Sequence, residues 1–179
     1  MKPAKILAPA VFACLCALIA PAQQSAQQPI WTGSWATAVQ IPESQNSIPP
    51  DDLRDATVRQ IVHLSIGGNT LRIRLSNAFG TAPLHFTSVH IARPLAPVTP
   101  ETASPAIDPA SDRALTFSGS PEVLVPAGAE YLSDPIAYNV APLSSLAITF
   151  HTDAPPARET GHPGSRATTW YAHGDLVSA

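Results

Sequence analysis

Apolar residues in this chain recur at every second position over short runs, and prolines and glycines close each run before a helical period is established. Alternation with period two puts the apolar side chains of a run on one side of a pleated strand, so each run reads as a strand with one buried face. With 20 prolines and 9 glycines among 179 residues, no helix-length crossover is available between runs, which argues against a βαβ architecture. The expected class is all-β, an antiparallel β-sandwich of the jelly-roll kind.

The clearest unit spans 57–76. Val58, Val62, Leu64 and Ile66 fall on one face of a first strand, and Leu71, Ile73 and Leu75 on one face of a second, with Gly67, Gly68 and Asn69 between them. A two-residue turn at Gly68-Asn69 predicts a hairpin that pairs Ile66 with Leu71, Leu64 with Ile73 and Val62 with Leu75. That register sets His63 opposite Arg74 and Ser65 opposite Arg72 on the other face, with Arg59 further along, and so predicts an uncovered basic surface. Further strands are expected over 84–91, 114–117, 122–125, 146–151 and 168–172. Residues 94–112, rich in Pro, Ala, Thr and Ser, and residues 155–164 read as exposed loops.

Residues 1–22 have the layout of a signal peptide. Lys2 and Lys5 are followed by an apolar run over 6–20 and by small residues at Ala20-Pro21-Ala22, and the run is too short to span a bilayer as a helix. Cys14 and Cys16 sit poorly for a lipoprotein signal. The expectation is a secreted or periplasmic domain over 23–179 without a membrane span. Both cysteines fall in the leader, so no disulfide supports the core. The remaining part carries eight arginines, no lysine and 13 acidic residues, a negative balance that argues against nucleic-acid partners.

No metal or cofactor motif emerges. His85 and His90 are an odd number of residues apart on one expected strand and should face opposite ways, while His151, His162 and His173 lack ligand spacing. Trp31, Trp35 and Trp170 with Tyr171 are expected in the core rather than on a sugar-stacking platform. Asn77, in Ser76-Asn77-Ala78-Phe79-Gly80, reads as a tight-turn residue, with projection from the sheet end toward a neighbouring active site as its alternative.

Several stretches carry a resemblance. Trp31-Thr-Gly-Ser-Trp35-Ala, Val58-Arg-Gln-Ile-Val-His-Leu-Ser-Ile-Gly-Gly68 and Leu71-Arg-Ile-Arg-Leu-Ser-Asn-Ala-Phe-Gly80 resemble the N-terminal region of secreted SGNH (GDSL-type) esterases. The stretches over 111–119, 125–128 and 132–135 are similar to it in order and spacing. The resemblance implies a β-sandwich placed before an α/β hydrolase domain that holds the chemistry. The family's Gly-Asp-Ser, Gly-x-Asn-Asp and Asp-x-x-His blocks are missing: Gly174-Asp175 is followed by Leu176, and Gly67-Gly68-Asn69 by Thr70. A serine without a positioned base and oxyanion donors is a poor nucleophile, so this chain alone is expected to be inactive, and the resemblance places the catalytic residues beyond Ala179. Its expected partner is that hydrolase domain, docked through Arg59, His63, Arg72, Arg74 and Asn77. A free-standing carbohydrate-binding module or a structural envelope domain is the alternative.

Overall fold

The computed structural model describes residues 30–96, 104–165 and 167–179. The expected leader and both cysteines lie outside them. Residues 33–179 form one compact unit, all-β with antiparallel pairing throughout, as the alternation predicts.

Eleven strands are present among the described residues: β1 (Ala56–His63), β2 (Gly68–Leu71), β3 (Arg74–Ser76), β4 (Leu84–Phe86), β5 (Ser88–Ala92), β6 (Arg113–Ala114), β7 (Val123–Val125), β8 (Glu130–Leu132), β9 (Ile136–Val140), β10 (Ser145–Thr152) and β11 (Thr168–His173). The main sheet has the order β11-β1-β10-β5-β6, and three pairs, β2-β9, β3-β8 and β4-β7, complete the unit. β1 lies between β10, which it meets over its full length from Ala56↔Thr152 to His63↔Ser145, and β11, which it meets from Ala56↔His173 to Ile61↔Thr168.

The hairpin predicted over 57–76 does not form. β1 is spoken for on both edges, Leu64 N–H donates to Ser144 O, and Ser65 N–H donates to Ser34 O, so the chain turns away from the sheet. β2 then pairs with β9, and β3 with β8. The local turn chemistry lost to longer registers available elsewhere, because β10 offers β1 eight paired positions against the five named for the hairpin. Gly67 serves close packing instead of reversal, since a Cβ there would stand 2.7 Å from Val140 O and 2.8 Å from Pro142 N.

Both faces of β1 are covered. Val58 and Val62 face the main side, where Val62, Leu75, Phe86, Ile91, Leu115 and Leu146 belong to one buried cluster that draws on the sheet and on the three pairs. Ile61 faces the other way, into a smaller cluster with Ala92, Ile107, Ala147 and the partly buried Trp170. The segment expected to be an exposed loop over 94–112 therefore contributes a lid: Pro94 bridges Ile107, Ile107 is buried, and a 3-10 turn follows at Pro109–Ser111. Residues 97–103 of that loop lie outside the described part. Among the described residues no helix is long and apolar enough to cross a membrane.

Candidate functional site

Alternation decides which β1 side chains meet which surroundings. Thr57, Arg59, Ile61 and His63 share the face opposite the main core with His151, Thr149, Ala147 and Ser145 of β10. The basic surface predicted there is not open. Arg59 is only 7% exposed, and its guanidinium is enclosed by acceptors: Nε donates to Thr149 Oγ1 (2.8 Å), Nη1 to the main-chain oxygens of Pro105 (2.6 Å) and Ala179 (2.8 Å), and Nη2 to Val177 O (3.1 Å). Burial lowers its pKa and the charge of Asp112 opposes that shift. The planar fork of five N–H donors suits arginine to such a cage of carbonyls.

The other residues predicted for a hydrolase interface disperse. His63 is exposed at the end of β1, 3.4 Å from Ser145 Oγ. Arg72 lies between β2 and β3 and donates from Nε to Ser133 O. Arg74, on β3, is exposed and pairs with Glu130 at 3.2 Å. Asn77 is 1% exposed, and its Nδ2 faces the carbonyls of Ala82, Val125 and Pro126 at 2.9–3.2 Å, so the amide knits two turns together instead of projecting outward. The register that gathered these residues on one face is corrected by the pairing of β1 with β10 and β11.

The same covered face holds a row that no local pattern announced. Thr87 Oγ1 lies 2.5 Å from His151 Nδ1, and His151 Nε2 lies 3.0 Å from Asp55 Oδ1. A hydroxyl, an imidazole and a carboxylate in line invite a catalytic reading. Here His151 is buried, Thr87 N–H is already given to His151 O, and none of the three is among the residues that line the cavity on the opposite face. The row ties the link between β4 and β5 to the start of β1. His85 and His90 each hold carboxylates too, His85 reaching Asp153 (3.0 Å) and Glu122 (3.4 Å) and His90 reaching Asp112 (2.8 Å). Among the described residues no three potential ligands gather to hold a metal ion.

The main face offers the opening that the covered face lacks. Beside strand β4, the β11-β1-β10 surface is roofed by the segments 40–48 and 155–163, which are joined by reciprocal main-chain hydrogen bonds between Gln40 and Gly161. Between sheet and roof lies a cavity of about 340 Å³. Its floor is apolar, with Val58, Leu84, Phe86 and Phe150, and the two phenylalanine rings meet edge to face at 5.2 Å. Its polar groups include Gln60, Thr169, Glu159 and His162. The Gln60 amide lies 3.1 Å from His162 Nε2, the Nδ1 of that ring is 2.8 Å from Ser165 Oγ, and the ring stands edge-on to Trp35.

Glu159 is the carboxylate of this cavity. Burial raises its pKa above the usual carboxylate value, and the Ile48 N–H, donating to Oε2 at 3.4 Å, pulls weakly the other way. No cation pairs with it among the described residues. Sequence reasoning passed over Glu159 and Gln60 because the cavity draws on residues from 42 to 171, with no short spacing to betray it. Trp35 and Trp170 pack on the two clusters as expected, whereas Trp31 is 44% and Tyr171 46% exposed. Compared with known proteins, the chain matches no family model and no curated protein, so its site is read from its own chemistry.

Proposed function

We propose that this chain is a non-catalytic accessory domain, of β-sandwich type, that accompanies the hydrolase domain of a secreted or periplasmic GDSL-type ester hydrolase. The observation that carries the proposal is the work done by the stretches that resemble that family. Ser34 Oγ donates to Ile66 O at 2.7 Å and accepts from Ile66 N–H. Asn77 clamps two turns from inside. Phe117 is buried in the main cluster, and Asp134 accepts from Ser118 N–H, Gly119 N–H and Thr116 Oγ1, with the Gly119 bond the leading cause of its lowered pKa. These residues hold backbone in place, which is what a resemblance to a folding unit, rather than to an active site, requires.

Two measurements test this reading. Purified chain should not turn over p-nitrophenyl butyrate above buffer. An antibody raised against it should deplete ester-hydrolase activity from the extracellular or periplasmic fraction of the source cells, and the depleted material should contain a Gly-Asp-Ser peptide. Turnover by the purified chain that disappears in Thr87→Val or His151→Phe would show that the buried row is catalytic and would overturn the proposal.

A further inference from the structure

We propose that the cavity over the β11-β1-β10 face binds a small organic cation, a primary ammonium carried on an apolar body the size of one aromatic ring. The volume, about 340 Å³, lies within the range of small-molecule sites. The floor of Val58, Phe86 and Phe150 offers contact to an apolar body, and phenylalanine faces favour a cation placed over them. Among the described residues the lining includes no lysine or arginine, and Glu159 is its one acidic side chain. Glu159 is partly desolvated by burial, and no cation pairs with its carboxylate among the described residues. An ammonium group would supply the missing counter-charge and a charge-assisted hydrogen bond. His162 is occupied on both ring nitrogens by Gln60 and Ser165, so it does not compete for Glu159.

The walls favour a preformed site. Pro42, Pro156 and Pro163 restrict the two roofing segments, and the Gln40–Gly161 bridge closes them on each other. A ligand entering would therefore spend little binding energy on ordering loops.

Three probes of one shape separate the chemistry: 2-phenylethylamine, 2-phenylethanol and 3-phenylpropionate, titrated calorimetrically into the full chain at pH 7.5. The amine should bind about tenfold or more tightly than the alcohol, and the propionate more weakly than either. Glu159→Gln should bring the amine to the level of the alcohol and leave the alcohol unchanged. Glu159→Asp, which withdraws the carboxylate by one methylene, should fall between the two and serves if the glutamine variant does not fold. Equal binding of amine and alcohol, no binding of any probe at millimolar concentration, or an amine preference that survives in a folded Glu159→Gln protein would each overturn the proposal.

Discussion

Truncating Arg59 to alanine distinguishes a sealed sheet face from an open one. On an open face the arginine would be solvated, and its loss would change stability by less than about 0.5 kcal/mol. In the structure its removal strands the acceptors that surround it. Thr149 Oγ1 and Val177 O meet the guanidinium in buried bonds, while the Pro105 and Ala179 oxygens are partly exposed and recover water. Each buried group left unpaired costs about 1–3 kcal/mol. Part of that is offset because the desolvation that lowers the Arg59 pKa is relieved when the cation is gone. The expected net loss is about 2–4 kcal/mol. For a domain of this size that lowers the melting temperature by roughly 5–12 °C. Equilibrium urea unfolding followed by tryptophan fluorescence reads the change, since Trp170 packs on the adjoining cluster. Amide exchange should also accelerate first in the tail from Leu176 to Ala179 and in the segment around Ile107. A change below about 0.5 kcal/mol, with exchange unaltered there, would refute the argument that Arg59 seals this face.

Asn77→Ala should cost about 2–4 kcal/mol in the same urea assay, because the three carbonyls that Nδ2 bridges lose their donor in a site 1% exposed. Gly80→Ala should destabilise by at least about 2 kcal/mol, since a Cβ at Gly80 would stand far inside van der Waals contact distance of Asn77 Oδ1 and force that amide from its partners. The His85–Asp153 pair predicts a pH window. The His85 pKa is raised, first by its hydrogen bond to Asp153, so its contribution is complete below the unfolded value of 6.5 and is lost as pH rises through the folded one. The Asp153 pKa is lowered, first by that same bond, so its contribution is present above the unfolded value of 3.8 and is lost as pH falls through the folded one. Melting temperatures measured from pH 3 to 9 should therefore show His85→Ala losing stability mainly between those two unfolded values. Screening of the half-exposed Asp153 limits the difference to about 0.5 kcal/mol.

Strands with a buried or half-buried face were legible in the alternation, and strands without one were not. β10 buries Leu146 and His151 on opposite sides and was found almost to the residue, and so was β11, where half-buried Thr168 and Trp170 alternate with exposed Thr169 and Tyr171. β8 has all three residues exposed, and β9 buries only Tyr138, so neither carries a period to read. The run over 84–91 looked continuous, yet it breaks at Thr87, where N–H and Oγ1 both turn to His151 and split it into β4 and β5. The turn residues 67–69 carried a true local signal that a distant partner overrode. In the loop over 94–112 Ile107 is the one buried apolar residue among those described, too little to announce burial. Of the interface residues, only the shared face of Arg59 and His63 was legible, because it follows from strand parity alone; the cover over it comes from segments some 45 and 120 residues away in the chain.

The two faces of β1 solve opposite problems, and the difference explains where a ligand is expected. On the covered face, polar groups are buried, so Arg59 and His151 find partners inside the fold, and the 104–112 segment and the C-terminal tail are drawn down to supply them or to shield them, while Asp112 meets His90 through Oδ2 and leaves Oδ1 buried without a hydrogen bond. Every partner used there is a group withdrawn from chemistry with anything outside. The main face is largely apolar and needs only to be roofed; over Val58 and Phe150, β4 brings Leu84 and Phe86 to one side of the gap, and proline-held loops span the rest without filling it. Glu159 hangs in that unfilled space with one long hydrogen bond and no counter-charge among the described residues. Substitutions there should move ligand affinity more than stability, whereas those around Arg59 and Asn77 should do the reverse.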